Sequence, residues 1–151
     1  MKNAFSLIEL IFVIVIIGVL SSIGFYMNRP DYSRQDAQYT LLKLKEARYR
    51  ALGYDTGDGS SAPQGCVILT AAALSDNEPP KHEIKSTIAS ITGLATTTIC
   101  YDAIGRPHDG NSTALNTLIR NNATILFSSG DKNSTVRIYP QSGYAIIPCS
   151  S

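Results

Sequence analysis

Residues 5–27 read FSLIELIFVIVIIGVLSSIGFYM, an apolar run whose only ionisable side chain before Tyr26 is that of Glu9. About 20 apolar residues in a helix reach roughly 30 Å, the thickness of a bilayer's hydrocarbon core. The run also lacks the polar face that a helix on a soluble core keeps. It predicts a membrane-spanning helix. A secretory signal peptide would carry a shorter apolar region with a small-residue cleavage site behind it. Ser21, Ser22 and Gly24 imitate such a site, so cleavage on the far side is the minor alternative.

Past this run the pattern changes twice. Pro30 interrupts or restarts the helical ladder, and Asp31 stands where a helix N-terminus favours an anion. Over residues 31–52 the spacing is helical again, with Ala37, Leu41, Leu44, Ala51 and Leu52 on one face and Arg48 in its middle. Glu46 precedes Arg50 by one turn in the favourable order. These features describe an amphipathic helix under a sheet, with Arg48 reaching the edge of its face or pairing with a head carboxylate. Residues 53–65 form a loop dense in Gly, Ser and Asp. Asp55, Asp58 and Gly59 share the composition of a calcium loop, but their spacing departs from an EF-hand and reads as a solvated turn.

Beyond the loop the chain becomes rich in Thr, Ser and Ile, and its periods shorten to those of strands. Residues 66–74 and 96–101 read as strands, 76–81 as a charged, proline-containing loop, and 83–92 as strand or helix. A turn cluster follows at 101–107, and 114–119 reads as a strand or a single helical turn. Residues 123–127, 135–139 and 144–147 then form a closing β-meander, joined by 129–133 and 140–143. The fold class is α+β: a long N-terminal helix, half membrane-spanning and half amphipathic, packed on a C-terminal antiparallel β-sheet head.

Composition refines this picture little. The 151 residues suit one domain, and a formal net charge of +1 gives no global attraction to nucleic acid or anionic lipid. Cys66, Cys100 and Cys149 lie far beyond the apolar run and form no CxxC or CxxxH element, so no zinc site is expected of them. Behind a membrane anchor they would face an export compartment, where a disulfide can form. The alternative is three buried thiols acting as small hydrophobes. If 66–74 and 94–102 pair as antiparallel strands, Cys66 and Cys100 fall nearly opposite each other, and Cys149 is left over. A Cys100–Cys149 bridge is the rival pairing.

Glu9 carries the functional reading. A carboxylate inside a spanning helix costs roughly 2.5–3.5 kcal/mol on insertion scales and asks for a partner. Cleavage between Ala4 and Phe5 would create one, the new α-amine of Phe5. The run Phe5, Ser6, Leu7, Ile8, Glu9 resembles the processing signal of type IV prepilins and type II secretion pseudopilins. In that family a prepilin peptidase cuts before the Phe and methylates its amine, and the nearby glutamate docks the helix during fibre assembly. The resemblance implies a leader at 1–4, a transmembrane helix at 5–27, an amphipathic helix at 28–52 and a periplasmic head at 53–151. It also implies cleavage between Ala4 and Phe5, N-methylation of Phe5, and assembly through Glu9. The family prefers Gly where this chain has Ala4. Lys2 on one side and Arg29 and Arg34 on the other leave orientation to the resemblance rather than to charge.

A second, shorter resemblance lies in Tyr101, Asp102, Gly105, Arg106 and Pro107, with Ser142 and Gly143 further on. It is similar to the H-class minor pseudopilins and the FimT-like minor pilins. The implied function is a structural subunit, not an enzyme. The implied partners are the prepilin peptidase, sister subunits through the N-terminal helix, and an inner-membrane assembly platform. The implied location is the bacterial inner membrane, single-pass with the head in the periplasm, and then the fibre or pseudopilus. No cofactor is expected, and the head is expected to be a monomer once freed of the helix.

Two other classes compete with this reading. His82 and His108 sit in loops beside prolines, with no nucleophile at recognisable spacing and no phosphate-binding or metalloprotease motif. Asp102 and Asp109 bracket Arg106 and His108, which admits acid–base chemistry in a membrane-anchored enzyme, but a polar turn with local ion pairs explains the same residues. A DNA-binding competence pilin is the other alternative. From Gly93 onward, however, Arg106, Arg120, Lys132 and Arg137 are nearly balanced by Asp102, Asp109 and Asp131.

Overall fold

The computed structural model describes residues 7–27, 30–53, 65–76, 81–111 and 113–149, with the side chains of 23–27 outside the description. The 53–65 loop, with Asp55, Asp58 and Gly59, falls largely outside it. The chain divides into two units, Met1–Pro30 and Asp31–Ser151. The first contains helix α1, Leu7–Met27. Among the described residues, no helix is long and apolar enough to cross a membrane.

The second unit opens with α2, Tyr32–Ala51. Asp31 caps it: its side chain accepts from the Arg34 N–H and from the Ser33 hydroxyl. These two bonds, the hydroxyl's first, hold the Asp31 carboxyl below its ordinary value. At the other end Arg48 and Arg50 lie in the last turn, where cations suit the helix dipole, and Arg50 meets Glu46 at 2.8 Å as the spacing predicts. The buried stripe is Ser33, Asp36, Ala37, Thr40, Leu44 and Ala47. It is rotated from the expected face, because half of it is polar and escapes an apolar count.

Two antiparallel sheets complete the head. The larger has the order β2-β5-β6-β7: Thr87–Thr92, Ala123–Ser129, Lys132–Ile138 and Ala145–Ile146. The smaller has the order β1-β3-β4: Cys66–Ile68, Thr98–Tyr101 and Pro107–Asp109. Along β5 burial alternates, with Ala123, Ile125 and Phe127 inward, and β6 answers with Val136 and Ile138. Ala37, Leu44 and Ala47 of α2 close over them in one core that Leu69, Ile99, Tyr101 and Ala145 extend. Each large side chain so buried contributes about 1.5–3 kcal/mol.

Several expectations need correction. Residues 66–74 are not one strand: β1 stops at Ile68, and Ala71–Leu74 form the short helix α3. Thr70 causes the switch, since its hydroxyl accepts from the Ala73 N–H and caps three helix-favouring alanines. The ambiguous stretch 83–92 yields a strand only from Thr87. Residues 114–119 contain a 3-10 turn, Leu115–Thr117. The β5–β6 hairpin is tighter than expected, pairing Ser129 with Lys132 across Gly130 and Asp131. Strand β4, Pro107–Asp109, begins where the sequence predicts the end of a turn, because its backbone pairs with β3.

Candidate functional site

The N-terminal signal and the head turns are distinct sites. Glu9 lies in the first turn of α1, where the helix dipole favours a carboxylate, and it is exposed. Its apolar neighbours are exposed as well, from Leu7 and Ile8 at 75% to Leu20 at 63%. A helix exposed in this way on every side needs lipid or other helices around it. Ala4 and Phe5 lie outside the described residues.

In the head, strand β3 ends at Tyr101 and the chain turns around the carboxylate of Asp102. Oδ1 accepts from the N–H groups of Ile104 (3.1 Å) and Arg106 (2.8 Å). Oδ2 meets Arg106 Nε at 2.8 Å and His108 Nε2 at 3.3 Å. Burial pushes the Asp102 carboxyl up, but the Arg106 amide and guanidinium, His108 and the Ile104 amide together hold it below its ordinary value. Gly105 at the tip has φ +81°, a left-handed conformation that suits glycine.

Arg48 of α2 joins this turn to the one before β7. Its Nε donates to the carbonyls of Ser142 (3.0 Å) and Gly105 (3.4 Å). Of the two environments expected for Arg48, the edge of its face or a head carboxylate, the second is not found: its partners are two carbonyls, and it stays half-buried. Gly143, at φ +64°, packs so closely that a Cβ there would collide with the Gly105 carbonyl and the Tyr101 ring. Burial pushes the Tyr101 hydroxyl well up, and Arg48 only partly offsets this. Of the residues of the shorter sequence resemblance, Gly105 and Ser142 therefore meet at Arg48 and Gly143 packs on Gly105 and Tyr101, contacts that sequence spacing did not show.

Of the suspected acid–base set, Asp102, Arg106 and His108 come together, whereas Asp109 does not join them. His108 is fully buried, with Nδ1 at 3.1 Å from both the Ala114 carbonyl and the Thr117 hydroxyl, and Nε2 facing Asp102. Asp109 faces elsewhere, accepting from the Ala95 and Thr96 amides and the Thr96 hydroxyl. These residues bind the turn together. Of the basic residues considered for DNA, Arg106 is committed to Asp102, and Lys132 and Arg137 sit near opposite ends of β6. Among the described residues no group of His, Cys, Asp and Glu could hold a metal ion.

A second polar cluster lies outside the sequence expectations. Asp36, 1% exposed, accepts at Oδ2 from the Lys85 amide (2.9 Å), the Ser86 amide (2.7 Å) and the Ser86 hydroxyl (2.7 Å). Its Oδ1 meets His82 Nε2 at 3.0 Å. The His82 ring stacks on Tyr39 at 4.0 Å, and the Tyr39 hydroxyl donates to Asp76, which also pairs with Lys43. The cluster fastens the segment ahead of β2 to α2. Its signal was the helical spacing of Ser33, Asp36 and Thr40 on the same stripe as Ala37 and Leu44.

Cys66 and Cys100 are directly opposite in the β1–β3 ladder and form a disulfide, while Cys149 is free and exposed. This is the expected pairing, and the Cys100–Cys149 rival is not the one present.

The chain thus combines an apolar N-terminal helix, with a carboxylate in its first turn, and an α+β unit from Asp31 onward. Residues 1–25 match the family model of the prokaryotic N-terminal methylation motif. That motif supports a type IV pilin-like subunit, processed by prepilin peptidase and assembled with other pilins from a membrane-anchored state. No curated protein and no solved structure matches the chain.

Proposed function

We propose that this chain is a minor structural subunit of a pilin-like fibre, either a minor pseudopilin of a type II secretion system or a minor pilin of a related machine. The methylation motif at residues 1–25 carries this reading. It is cut between Ala4 and Phe5, methylated on the Phe5 amine, and held in the inner membrane by residues 5–27 with its head in the periplasm. Glu9 pairs with the Phe5 amine of its own or a neighbouring helix, which relieves the cost of a carboxylate among lipid or sister helices. Residues 28–52 carry the chain into the head, and the work is assembly rather than turnover. The sequence resemblance of residues 101–107 and 142–143 to the H-class minor pseudopilins and the FimT-like minor pilins is what favours that group within this reading.

Mass spectrometry of the mature N-terminus tests this. The expected peptide begins at Phe5 with a methylated amine. Fibre-assembled protein that retains Met1, or that begins near Ser22, overturns the reading.

A further inference from the structure

Strand β2 lies at the outer edge of its sheet. It pairs with β5, and among the described residues no strand lies along its other side. Such an edge presents backbone N–H and C=O groups without ladder partners, and proteins blunt it with lysine, proline or an inward charge. From Ser86 to Leu94 this chain has none of these. The single irregularity is a bulge: Ile88 opposes Phe127 and Ser90 opposes Leu126, leaving Ala89 between them. In a regular strand Ile88 and Ile91 would point to opposite faces. The extra residue resets the alternation, and both isoleucines are half-buried while the rest of β2 is exposed.

Beside this edge opens a groove of about 570 Å³. Ile88 and Ile91 form one wall. Leu69, Thr70 and Ala71, where β1 passes into α3, form the other with Thr97, and no ionisable side chain lines it. We propose that the edge and groove are a docking site for an extended, uncharged peptide segment of another protein, which adds to the sheet antiparallel to β2.

The unpaired backbone of β2 is complementary to another backbone in extended form. The neutral lining would strip water from a charged side chain and give it no partner, so the segment is uncharged where it faces the groove. Side chains two apart on a strand share one face, so two small or β-branched residues can enter beside Ile88 and Ile91. A second copy of the head fits less well. One edge of 6 residues falls short of the roughly 1,200 Å² that a stable association buries, which suits capture of a short segment instead.

The test uses the full-length chain in lipid nanodiscs and hydrogen–deuterium exchange. The probe is a capped hexapeptide, Ser-Val-Thr-Val-Ser-Ala, compared with one in which both valines are glutamates. The uncharged peptide should slow exchange in residues 87–92 by at least about tenfold, leave β6 unchanged, and be ineffective in its glutamate form. Ala71→Arg, on the exposed rim, should abolish the effect with the circular dichroism spectrum and the Cys66–Cys100 bridge unaltered. If that variant does not fold, Ser90→Lys, which charges the edge without entering the core, should do the same. The proposal is overturned by no slowing at about millimolar peptide, or by equal slowing with the glutamate peptide. It is also overturned by protection of 87–92 that rises with protein concentration in the absence of peptide, which would make a second copy the occupant.

Discussion

Asp36 shows how the head holds a buried carboxylate. A carboxylate withdrawn from water is tolerated when its oxygens are occupied, and three donors from residues 85–86 plus His82 occupy them. Asp36→Ala should lower head stability by about 2–4 kcal/mol, because it strands the Ser86 and Lys85 amides as well as losing the bonds themselves. Asp36→Asn, which keeps an acceptor, should recover part of this. Denaturant unfolding of both variants measures the difference. Asp102 makes a different prediction. Its carboxyl is held below the ordinary 3.8, so the ionised form stabilises the folded head. That contribution is complete above the unfolded value and fades as pH falls through the lower, folded one. The stability gap between wild type and Asp102→Asn should therefore be constant near neutral pH and shrink in acid, beginning at about pH 4. A gap independent of pH down to strong acid would show that the turn does not depend on that charge.

At the scale of elements, the disulfide makes the most direct statement about stability. Cys66 and Cys100 are 34 apart in sequence and join the first two strands of the smaller sheet. Closing a loop of that length restricts the unfolded chain by about 3–4 kcal/mol in the chain-entropy model. Replacing both cysteines with serine should lower head stability by about that amount, read from the denaturation midpoint. The helices and the closing meander were legible because their side chains keep one period over a long stretch: α2 keeps a helical stripe, and β5 alternates through Ala123, Ile125 and Phe127. Short elements were not. Strand β4 is Pro107, His108 and Asp109, residues of weak strand preference, held there by pairing with Ile99, Cys100 and Tyr101. Helix α3 depended on a cap at Thr70 inside an apolar run that looked like a strand. The site was legible in the same uneven way. The turn residues could be named from sequence, but Arg48 as the partner of Gly105 and Ser142 could not, since they lie 57 and 94 positions from it. Asp36 stayed hidden because an apolar count overlooks a buried polar residue that is satisfied only by distant amides.

The whole molecule divides between Pro30 and Asp31 into a helix without a core of its own and a head that holds one. The head can bury the Ala37–Leu44–Ala47 stripe against its sheets, whereas α1 leaves Leu7 through Leu20 exposed. On the proposed reading, assembly is therefore driven by the helix, and Glu9 is the one ionisable group among residues 7–22, positioned to set which helix docks where. Glu9→Leu separates insertion from assembly. Removing the carboxylate relieves a penalty of roughly 2.5–3.5 kcal/mol at a helix centre, and less near an end, so membrane insertion should be unchanged or improved. Incorporation into the fibre should fall, because the Phe5 amine of the docking helix loses its counter-charge. Membrane fractionation and recovery of the chain with sheared fibres measure the two steps separately. Equal membrane content with reduced fibre content is the expected result. Co-assembly at the wild-type level would assign docking to the apolar surface alone and remove Glu9 from the mechanism.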